Sequence, residues 1–221
     1  MTSREFKDRL VRRARRADVP VLPALTAALE QYYRLLALWN QKINLTALPL
    51  SQPEDKTFDR LLIEPLVACR YLPASPITAM DIGSGSGSPA IPLTLASPDL
   101  TMRMVESKTR KSVFLTEAIR QLHLERASVE TARFEQLLSR PDLHEAVDVV
   151  TVRAVRVEAR TLMSLQAFLK PTGQLFWFRG APGRIDSAAI PPPLRWMASY
   201  SLVDANGSRL VILAKELLAA G

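Results

Sequence analysis

Leu25, Leu29, Tyr32, Leu36 and Trp39 recur at steps of three and four, the period of one face of a helix. A second helix is predicted within "PEDKTFDRLLIEPLVACRYLP", ending before Pro73, and "WNQKINLTALPL" leads out of the first. From Ile77 the pattern changes. Short β-rich runs ("ITAMDIG", "TMRMVES", "ASVETA", "VDVVTVRAV", "GQLFWFRG") alternate with helical stretches ("PAIPLTLAS", "KTRKSVFLTEAIRQLHL", "RFEQLLSR", "EARTLMSLQAFLK"). Such alternation predicts right-handed βαβ units and a mostly parallel sheet covered on both faces. The end differs: "LRWMASYSL" and "RLVILAKEL" flank an Asn206-Gly207 pair, a hairpin signal, so an antiparallel hairpin should close the sheet edge. "IPPPLRW" reads as a rigid connector. The expected organisation is a helical region over residues 1–74 followed by an α/β domain over residues 75–221.

Composition narrows the class. With 48% hydrophobic and 23% charged residues the chain reads as a globular protein, and no run approaches the roughly 18 apolar residues of a membrane span. The first twenty residues hold no apolar signal core, so export is not expected and the cytoplasm is the default location. Cys69 is the one cysteine, which excludes an internal disulfide and a cysteine cluster for zinc; it sits in an apolar helical pattern as a small core residue. His123 and His144 fall on polar stretches and read as surface residues, so no metal site is expected.

Charge changes the picture further. The net charge is +7, and residues 1–20 hold seven basic residues against three acidic ones, with Arg12, Arg13, Arg15 and Arg16 nearly contiguous. Such a cluster is either a solvated helix face or a contact for nucleic-acid phosphates.

The chemistry concentrates in "DIGSGSGSPAIPL". In a doubly wound sheet, ligands sit beyond the carboxyl ends of the strands, which is where this loop falls. A dinucleotide fingerprint needs a glycine at position 88, which is Ser88, and a P-loop needs a lysine, which this loop lacks. Gly83, Gly85 and Gly87 behind Asp81 instead resemble the first motif of class I S-adenosylmethionine methyltransferases. That cofactor carries an ammonium and a sulfonium, so a nearby carboxylate is electrostatically sensible. A second acid should end the next strand and accept hydrogen bonds from both ribose hydroxyls. Glu106, nineteen residues beyond Gly87, stands there.

The order of "WNQKINLTAL", "DIGSGSGSPAIPL", "VESKTRKSVFL", "ARFEQL", "VDVVTVRAV" and "FWFRG" resembles the bacterial small-subunit ribosomal RNA methyltransferase G family (RsmG, also called GidB). The resemblance runs from about Tyr32 to Lys215. It implies a Rossmann-like class I methyltransferase sheet with an N-terminal helical extension. It also implies S-adenosyl-L-methionine as cofactor and methylation of N7 of guanine 527 in 16S ribosomal RNA. The partner is then 16S RNA or the small ribosomal subunit, with no membrane and no metal, and a monomer is expected.

By the same resemblance Asp81, Gly83, Gly85, Gly87 and Ser88 hold the cofactor. Glu106, Ser107 and Lys108 flank its ribose and adenine, and Phe134 and Glu135 lie beside the adenine. Arg153, at the end of the fourth strand, faces cofactor and target base as the catalytic residue; otherwise it forms a surface ion pair with an acid such as Glu158. RNA contact is expected from Arg12, Arg13, Arg15, Arg16, Arg60, Arg110, Lys111 and Arg179. The chain departs from the family pattern at Leu61, where a histidine is common, at Ser86 and Ala90, where proline and glycine are frequent, at Ser88, where a larger apolar residue is, and at Arg179, usually lysine. Two other functions compete: a methyltransferase for transfer RNA or a small molecule, and a non-catalytic RNA-binding or ribosome-assembly protein on the same fold.

Overall fold

A computed structural model describes residues 1–74, 76–153, 157–180 and 190–217. Helix α1 (Ser3–Arg16) is started by a capping box. The Thr2 hydroxyl accepts the Glu5 N–H at 3.2 Å and the Glu5 carboxylate accepts the Thr2 N–H at 2.7 Å. Its buried residues Phe6, Leu10, Arg13 and Ala14 follow the helical period, so an arginine sits on the inward face. Helix α2 (Pro23–Asn40) begins with proline, whose missing N–H has no partner there in any case. It buries Leu29, Tyr32, Tyr33, Leu35 and Leu36.

The second predicted helix is a continuous helical stretch of changing pitch: α3 (Asp55–Phe58), a π turn over Asp59–Ile63, α4 (Glu64–Ala68) and a tight turn over Cys69–Tyr71. The proline inside it accounts for the wide turn. Pro65 has no N–H to offer the Leu61 carbonyl, and the Glu64 N–H bonds to Asp59, five residues back, instead of Arg60. Cys69 is half-buried, and burial pushes its thiol up to about 11, so it stays protonated at neutral pH.

The sheet has seven strands among the described residues: β1 (Ile77–Ile82), β2 (Leu100–Val105), β3 (Ala127–Glu130), β4 (Val147–Arg153), β5 (Leu169–Arg179), β6 (Leu194–Val203) and β7 (Ser208–Lys215). Their order is β3-β2-β1-β4-β5-β7-β6. The first five pair in parallel, and β7 runs antiparallel to both β5 and β6. The chain winds outward from β1 to β3, then crosses to β4. The topological switch point therefore lies between β1 and β4, where Asp81 pairs with Thr151.

Helices α5 (Ala90–Ala96) and α6 (Thr109–Gln121) pack on one face, and α7 (Phe134–Leu137) and α8 (Ala159–Leu165) on the other. The N-terminal helices join the first face: Phe6, Tyr32, Phe58 and Leu62 belong to the same buried cluster as Met104, Phe114 and Phe176. No helix among the described residues is long and apolar enough to cross a membrane.

Two boundaries differ from the periodicity. The predicted helix through "LMSLQAFLK" stops at Leu165, and β5 begins at Leu169, because Leu169 is buried and pairs with Val147. A register shift between Val147 and Val149 absorbs the extra residues. The hairpin turn is longer than a two-residue turn, with Asp204–Asn206 coiled ahead of Gly207 at φ 60°. The tail of the expected "VDVVTVRAV" strand at residues 154 and 155 lies outside the described residues.

Arg13 ties α1 to this frame. Its Nε and Nη2 donate to the two oxygens of Asp59 at 2.8 and 2.6 Å, and Asn206 of the β6–β7 turn donates to the same carboxylate at 3.1 Å. Both partners are buried, and without Asp59 the Arg13 charge keeps only the half-exposed Asp55, 3.1 Å from Nη1. Asp59→Ala should therefore cost up to about 3 kcal/mol in urea unfolding, the low end for a broken buried pair. The double change Arg13→Met with Asp59→Leu should recover most of that loss; equal losses in both variants would mean that the charge pairing is not what Asp59 contributes.

Candidate functional site

The loop after β1 is shaped by backbone that only glycine adopts easily. Gly83, Gly85 and Gly87 all have positive φ. At Gly87 (φ +87°) a Cβ would also lie 2.4 Å from Ile91 Cδ1, so the residue permits both the turn and the close seat of α5. The N–H groups of Gly83 and Ser84 donate to the Val105 carbonyl at 2.9 and 3.1 Å, fastening the loop to the end of β2.

Glu106, the buried residue just past β2, holds the loop from above. One oxygen accepts the Gly85 N–H at 2.9 Å and the other the Lys108 N–H at 2.8 Å. Each oxygen keeps a lone pair for a further donor. Beneath the loop Asp81 is 1% exposed. One of its oxygens accepts the Thr151 hydroxyl at 2.5 Å, and the other has no partner. Burial raises the Asp81 pKa above the ordinary carboxylate value, with the Thr151 hydrogen bond opposing.

Arg153 leaves the end of β4 and is nearly enclosed, its side chain 10% exposed. Nη2 donates to Glu64 at 2.8 Å, and Nη1 donates to the Ser88 hydroxyl at 3.1 Å and to the Arg60 carbonyl. The guanidinium lies over the Phe178 ring, 4.5 Å from its centre. Burial lowers its pKa, and the Glu64 charge opposes that shift. The acid facing Arg153 is thus Glu64 from the helical region, where the sequence suggested one such as Glu158. Its Nε–H and one Glu64 oxygen are buried without partners.

Most of these residues meet at a cavity of about 490 Å³, while Asp81 and Gly87 lie behind its lining. The α/β layer lines it with Gly83–Ser86, Ser88, Glu106, Lys111 and Arg153, and the helical region with Leu45–Leu48, Lys56, Arg60 and Leu61. The loop over residues 45–48 is held by Asn40, whose side-chain oxygen accepts the Leu45 and Thr46 N–H groups, both at 2.9 Å. The Tyr32 hydroxyl donates to the Ser86 carbonyl at 2.8 Å, bracing the glycine loop from α2. A second cavity, of about 420 Å³, lies between α1 and the β6–β7 turn, but the Arg13–Asp59 pair on its wall is already matched.

Not every expected residue reaches the cavity. Ser107, Lys108 and Arg110 are exposed at the start of α6 beside it. Phe134 packs against the opposite core and Glu135 is exposed, both outside the cavity lining. Arg179 lies over Trp177 at 4.9 Å. The four N-terminal arginines do not form one exposed cluster. Arg12, Arg15 and Arg16 face outward, whereas Arg13 is turned inward onto Asp59 and is not offered to a phosphate. Sequence reasoning missed Lys56, Glu64 and Thr151 as site residues, and for none of them did a local motif mark the role. Asn40 and Thr46 carried a motif without an assigned task. Among the described residues no group of histidine, cysteine, aspartate or glutamate could hold a metal ion.

The buried Asp81 carboxylate gives a pH-dependent expectation. Because its folded pKa is raised, ionisation opposes folding; the penalty is absent below the unfolded value, near pH 4, and grows as pH rises through the folded value. Asp81→Asn should therefore melt a few degrees above the parent at pH 7.5 and level with it at pH 4. A variant that melts below the parent at pH 7.5 would show that the charge is compensated in place.

Comparison with known proteins gives the family. Residues 25–190 match the family model described as rRNA small subunit methyltransferase G (GidB). The ribosomal RNA small subunit methyltransferase G of Halorhodospira halophila is 35% identical over 177 residues, 80% of this chain and 78% of that protein. The protein of the same name from Carboxydothermus hydrogenoformans is 32% identical over 197 residues, 85% of this chain and 82% of that protein. Among solved structures, a SAM-dependent methyltransferase from Aquifex aeolicus superposes on 73% of this chain and 93% of its own, with TM-score 0.55 and 14% identity. The [4+2]-cyclase SpnF superposes on 90% of this chain and 98% of its own, with TM-score 0.60 and 12% identity. At such identities the likeness is one of fold, and a fold hosts several chemistries. The family match and the relatives aligned over most of their length go further: this chain belongs to the rRNA small subunit methyltransferase G family.

Proposed function

We propose that this chain methylates N7 of guanine 527 in 16S ribosomal RNA. The class of reaction comes with the family, S-adenosylmethionine-dependent methylation of small-subunit ribosomal RNA; the guanine and its N7 are the finer part of the proposal.

The observation that carries the cofactor reading is Glu106. Each of its oxygens is anchored by one backbone N–H and retains a lone pair, an arrangement suited to two neighbouring hydroxyls. The rest of the site fits the same ligand. Gly83 and Gly85 leave bare backbone along the cavity, Asp81 keeps a buried oxygen without a partner behind them, and the volume suits a nucleoside-sized molecule. Gly83, Gly85, Gly87, Ser88, Ser107 and Lys108 would hold the cofactor with these acids, and Phe134 and Glu135 stay in the proposal as the adenine-facing pair. When bound, the cofactor supplies an electrophilic methyl group.

A guanine N7 carries a lone pair and no proton, so no general base is needed and the chain contributes placement and charge. Arg153 is permanently charged, lines the cavity and keeps one N–H without a partner in the chain, which suits a carboxylate or a phosphate. The base has to be unstacked from the RNA to reach such a recess. Around the opening, Lys56, Arg60, Lys108, Arg110 and Lys111 set positive charge on both sides, with Arg12, Arg15, Arg16 and Arg179 farther out in the proposed RNA surface.

The direct test is to incubate the protein and S-adenosylmethionine with 16S RNA from cells lacking the gene and to map N7-methylguanine. A single new N7-methylguanine at position 527 is expected; methylation of another RNA or atom would replace the reading with a different methyltransferase. In the same assay Glu106→Ala should lose most activity. Its calorimetric dissociation constant for the cofactor should rise about tenfold or more, because two charge-assisted hydrogen bonds worth roughly 1.5–3 kcal/mol each are lost. Unchanged affinity would remove Glu106 from the site.

A second measurement concerns the rim. Changing Lys108, Arg110 and Lys111 together to glutamine should lower the salt slope of RNA binding by roughly 2, about 0.7 for each phosphate contact. Arg15→Gln with Arg16→Gln should lower it less. Equal slopes in the two variants would place the RNA elsewhere.

A further inference from the structure

Pro65 is buried inside a helical stretch, where a proline is costly, and it touches no ligand-facing surface. We propose that the π turn over Asp59–Ile63 is a device that Pro65 builds to orient Arg153, which makes Pro65 and Glu64 positioning residues for methyl transfer. The inference rests on the methyltransferase reading for its activity readout alone.

Two backbone carbonyls carry it. In an unbroken α-helix the Arg60 carbonyl would accept the N–H of residue 64 and the Leu61 carbonyl that of residue 65. Here the Glu64 N–H is committed to Asp59, and residue 65 has no N–H. Both released carbonyls are taken up by the cofactor cradle. The Ser88 hydroxyl donates to Leu61 at 2.9 Å and accepts from Arg153 Nη1 at 3.1 Å, while the same Nη1 donates to Arg60. One residue past the turn, Glu64 accepts Nη2 at 2.8 Å. Phe178 covers one face of the guanidinium. A planar group held at its edges by three acceptors and on a face by a ring has its orientation set, and its unpartnered Nε–H is thereby aimed. Two of the three acceptors, Arg60 and Glu64, belong to or adjoin the turn.

Pro65→Ala restores the missing N–H and lets the stretch return to α-helical register, withdrawing both carbonyls. A proline that merely packed would leave Arg153 unmoved in the variant; stability holds or rises on either reading, because alanine is the better helix former. The experiment uses the full chain labelled with ¹⁵N-arginine, the Arg153 signals being identified by their loss in Arg153→Lys. In the parent, the Arg153 guanidinium N–H signals should be resolved and slow to exchange. In Pro65→Ala they should broaden or exchange, and kcat for methyl transfer should fall at least tenfold. Affinity for S-adenosylhomocysteine should stay within threefold, and Tm should hold or rise.

Unchanged Arg153 signals overturn the proposal, as does mobile Arg153 with undiminished kcat. A parent that fails to bind S-adenosylhomocysteine would remove the methyltransferase reading, and the arginine spectra would still decide the device. Should Pro65→Ala not fold, Ser88→Ala leaves the helix intact and removes the bridging hydroxyl. It should loosen Arg153 in the same spectra and lower kcat about threefold, and no change in either overturns the proposal.

Discussion

A charge that cannot be given up is buried where the helices meet the sheet. Arg153 extends from the carboxyl edge of β4 into a recess closed by Glu64, the Arg60 carbonyl, Ser88 and Phe178. Desolvating a guanidinium is expensive unless its charge is answered, and here both Nη groups and one ring face are, so its surroundings are constrained together. The same helical stretch repeats the arrangement. Asp59 and Glu64 stand at either end of one π turn and each takes a buried arginine, the first from α1 and the second from the sheet. Charge pairing thereby sets where the N-terminal helices sit on the α/β layer, beyond what their apolar faces alone would specify.

The site is built against its own stability. Three glycines in left-handed conformations and a fully enclosed Asp81 with an unanswered oxygen are departures from a well-packed interior. Such features gather at the switch point between β1 and β4 because that is where two crossovers diverge and leave a crevice. The helical region then supplies the opposite wall through the loop that Asn40 holds. Neither half alone encloses the cavity.

Much of this was legible because it is local. A turn that needs positive φ announces itself in glycines, a buried strand in its run of valines, and a hairpin in Asn206-Gly207, since the determining contacts lie within a few residues. Glu106 could be placed for the same reason: one short helix and one strand separate it from Gly87. The inward turn of Arg13 was not legible, because its neighbours in sequence are arginines that face water and only the position of Asp59 distinguishes it. The early start of β5 escaped as well, since burial of Leu169 against Val147 overrides the helical period of the preceding residues.

The sequence by itself therefore determined the α/β alternation, the glycine turn and the acid after the second strand, all consequences of backbone preference and short-range spacing. Tertiary structure alone decided which arginine is buried, which acid answers it and which lysines reach the cavity. Glu64 and Arg153 lie 89 residues apart, and so distant a pair is chosen by the packing of the whole fold, which closes them against each other and excludes the water that would otherwise solvate both.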